Sequence, residues 1–305
     1  MSPPGARRRG VARRRRTPRL LCPDVRFADD YPRRLERLVG RLASLRERRE
    51  GAGGAALAGG GEEFVGYRPY RSGEDLRGLD WNLFARLDRP WVRVTRREAS
   101  ERWELFLDAS ASMGVGPPGK LQAAAEIAGA LIALALSGGA HVRVVTSRAE
   151  GGASELIVRR RAELGKALAF LGSLLASGER GLARLLDERR PNAESGRVFL
   201  IGDLFDLAPD RLLACLRRGR ELLVVQVLAP LELAPPRAGS VEWLDAEGTQ
   251  RRTVDLGGPA RPAYERLLAR TLEGWDAFAA RHGVSHRVAP SDRDFEDVVR
   301  ASLRL

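Results

Sequence analysis

Leu105-Phe106-Leu107-Asp108-Ala109-Ser110-Ala111-Ser112 is an apolar run that ends in an acid, followed by two hydroxyls at alternate positions. A second run, Phe199-Leu200-Ile201-Gly202-Asp203, ends the same way. Outward from these two, strand-like stretches at 103–108, 142–147, 155–159, 198–202, 222–228 and 284–288 alternate with helical patterns at about 120–137, 161–176, 180–189, 209–219, 261–281 and 293–303. Such alternation predicts an α/β fold, a doubly wound and mostly parallel sheet with helices on both faces. Ligands of open parallel sheets bind outside the carboxyl ends of the strands, so Asp108 and Asp203 are expected to share one crevice if their strands are neighbours.

Asp108, Ser110, Ser112 and Asp203 form a hard, all-oxygen donor set suited to Mg²⁺, which keeps several waters and would leave a position for a partner's carboxylate. The plainer alternative is that Asp108 caps its own turn and the serines satisfy backbone groups. Spacing alone does not separate the two. His282 and His286 flank Gly283, which breaks a helix and keeps them off one face, and His141 enters a strand. No histidine-centred nucleophilic triad and no phosphate-binding Gly-x-x-x-x-Gly-Lys loop is present, so ATP hydrolysis by this chain is not expected.

The 305 residues carry a formal charge of +12, and position decides its meaning. Residues 1–50 hold 16 arginines against six acids, so the body is almost neutral. Lys120 and Lys166 are the only lysines. Cys22 and Cys215 are too few for a disulfide framework, which favours a reducing compartment. Arg7 to Arg16 lack the apolar stretch of a signal peptide, and the run from Ile127 to Leu136 is too short for a span and reads as a buried helix. A cytoplasmic protein without a membrane span is expected.

Along the chain, residues 1–27 read as a disordered Arg-rich tail. Residues 28–50 follow as an amphipathic helix with Asp29-Asp30 at its start and Leu35, Leu38, Val39, Leu42 and Leu45 on one face. A Gly-rich linker spans 51–61, a motif segment expected to pack on the body spans 62–101, and the main domain covers 102–304. Near 230–258 a small β-hairpin is expected around Asp245-Ala246-Glu247-Gly248. In the motif segment, Arg68, Tyr70, Gly73, Asp75, Arg77, Asp80 and Trp81 admit two readings. They either make an ion network that anchors the segment, with Trp81 in an apolar seat, or a partner-docking surface rich in hot-spot residue types.

Asp108-x-Ser110-x-Ser112 with a later Asp203 resembles the metal-ion-dependent adhesion site of von Willebrand factor type A domains. Arg68-Pro-Tyr70-Arg-Ser-Gly73-Glu-Asp75-Leu-Arg77-Gly-Leu-Asp80-Trp81, with Ala85-Arg86, Glu98 and the late hairpin, resembles the bacterial domain-of-unknown-function family fifty-eight over roughly residues 56–304. The resemblance implies a type A-like fold and a non-enzymatic adaptor that acts with a MoxR-type AAA+ ATPase in chaperone-like maturation of other complexes. Its client would offer an acidic residue. One departure stands out: the threonine that type A sites take from the loop between the second and third helices has no counterpart in Gly178-Glu179-Arg180-Gly181-Leu182. Arg180 in that slot would oppose Mg²⁺ and pair with Asp108 or Asp203, whereas Glu179 turned inward would favour it.

Two other functions compete. A Mg²⁺-dependent phosphatase or nuclease would use the same acid pair, but Ser110 stands where Asp-x-Asp phosphotransferases place their acid/base. Nucleic-acid binding through the basic N-terminus would be weak and salt-sensitive, because the tail lacks interleaved aromatics, and no specific nucleic acid is expected.

Overall fold

The computed structural model describes residues 22, 24–50, 62–70, 80–87, 89–97, 101–147, 152–235, 240–244, 251–255 and 259–303. Its centre is a sheet of six strands: β3 (Arg102–Leu107), β4 (His141–Ser147), β5 (Ala153–Val158), β6 (Arg197–Gly202), β7 (Glu221–Leu228) and β10 (Ser285–Pro290). They lie in the order β10-β7-β6-β3-β4-β5. All neighbours are parallel except the edge pair β4 and β5. Counted by appearance within the sheet this is the doubly wound order 3-2-1-4-5-6, in which the winding reverses between β3 and β6. Those are the strands that carry Asp108 and Asp203.

Period-two alternation sends side chains to two cores. Leu105 and Leu107 join the core built on α3 (Lys120–Ser137), α4 (Leu164–Gly172) and α8 (Phe295–Ser302). Phe106 joins the opposite core with Leu182 and Leu185 of α5 (Leu182–Glu188) and Trp275 and Phe278 of α7 (Ala260–His282). Helix α3 is apolar and buried on nearly all sides. It is the one helix among the described residues long and apolar enough to cross a membrane, and here it is the core helix.

The predicted N-terminal helix is α1 (Tyr31–Glu50), which presents Tyr31, Leu35, Leu38 and Leu42 to the first core. The Tyr31 hydroxyl donates to the Glu126 carbonyl at 2.5 Å, and a Cβ on Gly129 would lie 2.5 Å from that hydroxyl, so a larger residue there would displace the tyrosine. Arg34 pairs with Asp294 and Glu296 at the start of α8. The tail boundary at 27 needs correction: Cys22 N–H donates to the Gly114 carbonyl, Asp24 bridges Leu175, and Arg26 N–H donates to Gln122. Residues 1–21, Pro23 and the linker at 51–61 lie outside the described residues.

Two helical expectations come out shorter. The pattern at 161–176 is a 3-10 turn (Arg161–Glu163) leading into α4, which stops at Gly172. The pattern at 209–219 is a 3-10 helix over Pro209–Cys215, because the chain then turns tightly with Gly219 at φ +81°. The motif segment forms β1 (Glu62–Pro69) and β2 (Trp91–Arg97), an antiparallel pair joined through α2 (Trp81–Leu87). The late hairpin is β8 (Ser240–Leu244) with β9 (Arg251–Asp255), and its expected turn at 245–248 lies outside the described residues. A short α6 (Pro230–Leu233) follows β7.

Candidate functional site

The candidate site begins where β3 and β6 end. Asp108 N–H still donates to the Ile201 carbonyl, so the carboxylate leaves the sheet beside Gly202. A Cβ on Gly202 would lie 2.6 Å from the Asp108 Cβ, and only glycine admits this approach. Past Asp108 the chain turns back. Ser110 N–H donates to Asp108 Oδ1 at 2.8 Å, the Asx geometry expected of a capping aspartate. The Ser110 and Ser112 hydroxyls are 3.1 Å apart, and Ser112 Oγ donates to Asp203 Oδ2 at 2.8 Å. All four anticipated residues therefore converge.

Asp203 sits in a strained turn. Leu204 is buried with φ +62°, a left-handed conformation that costs a non-glycine residue energy and is typical of sites held by their surroundings. It lets Phe205 N–H return to Asp203 Oδ1 at 3.2 Å. From the sheet side, Gln226 Nε2 donates to the Asp203 carbonyl at 2.8 Å. His286 lies 3.2 Å behind that glutamine, with Asp276 on its other nitrogen at 2.7 Å. Thus His286 is a supporting residue, and His282 instead packs on Phe278.

Two residues of the site were not anticipated. Lys120, fully buried at the first turn of α3, places Nζ 2.8 Å from Asp203 Oδ2 and 2.7 Å from Glu232 Oε1. Glu232 also takes the Ala229 N–H at 2.7 Å and so starts α6. Burial alone would lower the Lys120 pKa, yet the two carboxylates raise it, so the ammonium keeps its proton. The sequence does hold a signal for Lys120. In a chain whose other basic residues are nearly all arginine, a lysine opens the most apolar helix, where the helix dipole disfavours a cation and a carboxylate must answer it.

Asp108 has no such answer. Its Oδ2 is buried and has no hydrogen-bond partner among the described residues. Burial, reinforced by the charge of Asp203, pushes its carboxyl up to about 7. Asp206 is also raised by burial, while its Oδ2 accepts the Ala183 N–H at 2.9 Å and caps α5. A Cβ on Gly181 would strike that carboxylate at 2.4 Å.

The loop expected to supply a threonine does lie alongside the serines: Ser177 N–H donates to the Ala109 carbonyl and Ala111 N–H to the Gly178 carbonyl. Arg180 does not enter the crevice. It pairs with Glu188 at 2.7 Å, and Glu179 is exposed. The cation opposing a metal is therefore Lys120, which already neutralises Asp203. The remaining set, Asp108 with its open Oδ2 and the Ser110 and Ser112 hydroxyls, fits a hard divalent ion in its donor chemistry, with Asp203 acting through Ser112. Among the described residues no three His, Cys, Asp or Glu side chains are grouped to chelate a metal.

In the motif segment, Tyr67 Oη donates to Asp80 Oδ2 at 2.8 Å and Leu83 N–H to Asp80 Oδ1 at 2.9 Å, so Asp80 caps α2. Trp81 is 61% exposed and touches Phe84 edge-on, which removes the apolar-seat reading. Arg68 lies on β1 opposite Val92, and Tyr70 N–H donates to the Pro90 carbonyl. Gly73, Asp75 and Arg77 lie outside the described residues.

A family model described as "protein of unknown function DUF58" matches residues 66–273. The uncharacterized protein Mb1516 of Mycobacterium bovis and the uncharacterized protein Rv1480 of Mycobacterium tuberculosis are each 28% identical over 239 residues, covering 72% of this chain and 74% of the relative. Among solved structures, the conserved hypothetical protein BatB from Bacteroides thetaiotaomicron aligns at 13% identity and a TM-score of 0.44, over 67% of this chain and 98% of that one. An aerotolerance-related membrane protein from Bacteroides fragilis aligns at 14% identity and a TM-score of 0.37, over 67% and 99%.

Proposed function

From the premise that this chain belongs to the DUF58 family, we propose that it is a non-enzymatic adaptor whose crevice at Asp108 captures an acidic residue of a client protein. It would do so in the cytoplasm, working with a MoxR-type AAA+ ATPase in chaperone-like maturation of other complexes. The observation that carries this reading is the buried, unpartnered Asp108 Oδ2 beside two converging hydroxyls. A buried acceptor left unsatisfied is costly, and a site that keeps one is arranged for something it binds. Asp108, Ser110 and Ser112 would hold a Mg²⁺ ion, which would supply the positive charge that a client carboxylate needs. Because Lys120 already occupies Asp203, the ion would be held weakly and chiefly in the presence of the client. Exposed Phe205 and Leu231, on the segments that carry Asp203 and Glu232, offer apolar contact beside the crevice. Affinity capture from cells with and without chelator tests this: the ATPase and client should be retained with Mg²⁺, and the client lost from an Asp108→Ala variant that is still folded.

One observation favours an enzyme instead. A carboxyl titrating near 7 in a crevice is poised for proton transfer. Metal-dependent turnover of a generic phosphoester, abolished by Asp108→Asn, would establish that reading over the adaptor.

A further inference from the structure

At the opposite end of the sheet, where β6 and β7 begin, Arg217-Arg218-Gly219-Arg220 forms a tight turn. Arg220 N–H donates to the Arg217 carbonyl at 3.1 Å, and Gly219 adopts φ +81°, the conformation that type II turns need at their third position. Three guanidinium groups therefore leave four consecutive residues.

Their partners set them apart from the arginines around them. Arg102 pairs with Glu194, Arg197 with Glu221 and Glu101, and Arg211 with Asp187. Arg220 is held only by carbonyls: Nε donates to Ser195 at 3.1 Å, Nη1 to Cys215 at 2.9 Å and Nη2 to Asn192. These bonds fix the guanidinium, and no carboxylate among the described residues pairs with it directly. Burial first, and then the neighbouring charge of Arg217, lower its pKa, against a smaller opposing pull from Glu104. Arg217 and Arg218 are exposed and make no hydrogen bond or ion pair from their side chains among the described residues.

The same three arginines line two adjoining clefts. One, of about 480 Å³, is completed by Ala193, Glu194, Ser195 and Gly196, and its acid is already paired with Arg102. The other, of about 230 Å³, is completed by Leu216, Leu222 and the His282–Val284 corner. A fixed guanidinium flanked by two free ones, with no carboxylate left to pair, matches the forked recognition of phosphate oxygens.

We infer that this turn is a binding site for a phosphate-bearing anion, one with two adjacent phosphates engaging Arg217 and Arg218 over the fixed Arg220. The site is independent of the Asp108 crevice, which lies at the carboxyl ends of the strands.

The test is calorimetric titration of the full chain with inorganic pyrophosphate at constant chloride, comparing wild type with the Arg217→Ala/Arg218→Ala double variant. Both substitutions fall on exposed side chains, and a thermal melt confirms that the variant folds. Wild type should bind, and the double variant should bind about tenfold or more weakly. Asp108→Asn should bind as wild type does. Capture by phosphatidylglycerol vesicles that also depends on the two arginines would make the phosphate that of a lipid headgroup and support the site. No binding by wild type, equal binding by the double variant, or equally tight binding of a polyglutamate peptide through the same arginines would overturn it.

Discussion

Lys120 Nζ lies 2.8 Å from Asp203 Oδ2, both groups buried, at the point where the winding of the sheet reverses. This ion pair, extended to Glu232, supplies inside the fold a positive charge that a metal would otherwise bring to Asp203. Removing one member of a buried pair leaves the other charged and unanswered, which typically costs about 3–5 kcal/mol. Lys120→Met should lower the unfolding free energy by that order in chemical denaturation, and Lys120→Met combined with Asp203→Asn should recover part of the loss. A lysine that merely filled space would show no such recovery.

Asp108 gives stability a pH dependence whose sign is fixed. Its carboxyl is raised to about 7 in the folded protein, chiefly by burial, whereas the unfolded chain ionises in the ordinary carboxylate range. The fold thus holds the Asp108 proton more tightly. Its contribution to stability is full below the ordinary carboxylate range and is lost as pH rises through about 7. In chelator, wild type should melt higher at pH 5 than at pH 8 by more than Asp108→Asn does. Thermal melts of the two proteins at both values check this.

Gly202→Ala should damage the crevice from the strand side. The added methyl group would lie 2.6 Å from the Asp108 Cβ and 2.9 Å from a Leu182 methyl, so strand or aspartate must shift. Overpacking of this kind costs about 1–3 kcal/mol. A lowered melting temperature together with reduced client capture is expected, and a variant as stable and active as wild type would show that the approach relaxes freely.

Helix α1 belongs to the domain and is not a tether. Leu38 is completely buried in the first core, so Leu38→Ala should cost about 2–5 kcal/mol in chemical denaturation. Arg37→Ala, one position away on the exposed face, should leave the midpoint unchanged.

These residues also show why some of the molecule was legible in the sequence and some was not. The strands ending at Leu107 and Gly202 were readable because a buried parallel strand is a short apolar run, and the acid after each marks where the sheet meets water. Convergence of Asp108, Ser110, Ser112 and Asp203 followed once β3 and β6 proved adjacent. Lys120 and Glu232 escaped because their pairing spans 112 residues and no local period encodes it. Arg180 stands in the stretch where the type A resemblance implies a threonine, and a carboxylate eight residues on takes it away from the site. Trp81 shows the same limit: its residue type suited an apolar seat as well as a docking surface, and only its 61% exposure removes the first.

The most direct measurement is affinity capture by the full chain against Asp108→Ala in Mg²⁺-containing buffer, with matched far-ultraviolet spectra and melting curves to show that both are folded. Retention of an AAA+ ATPase and a client by wild type, with loss of the client from Asp108→Ala and from wild type in chelator, is the predicted result. A folded Asp108→Ala that captures the same proteins in the same amounts would contradict the crevice as the recognition site.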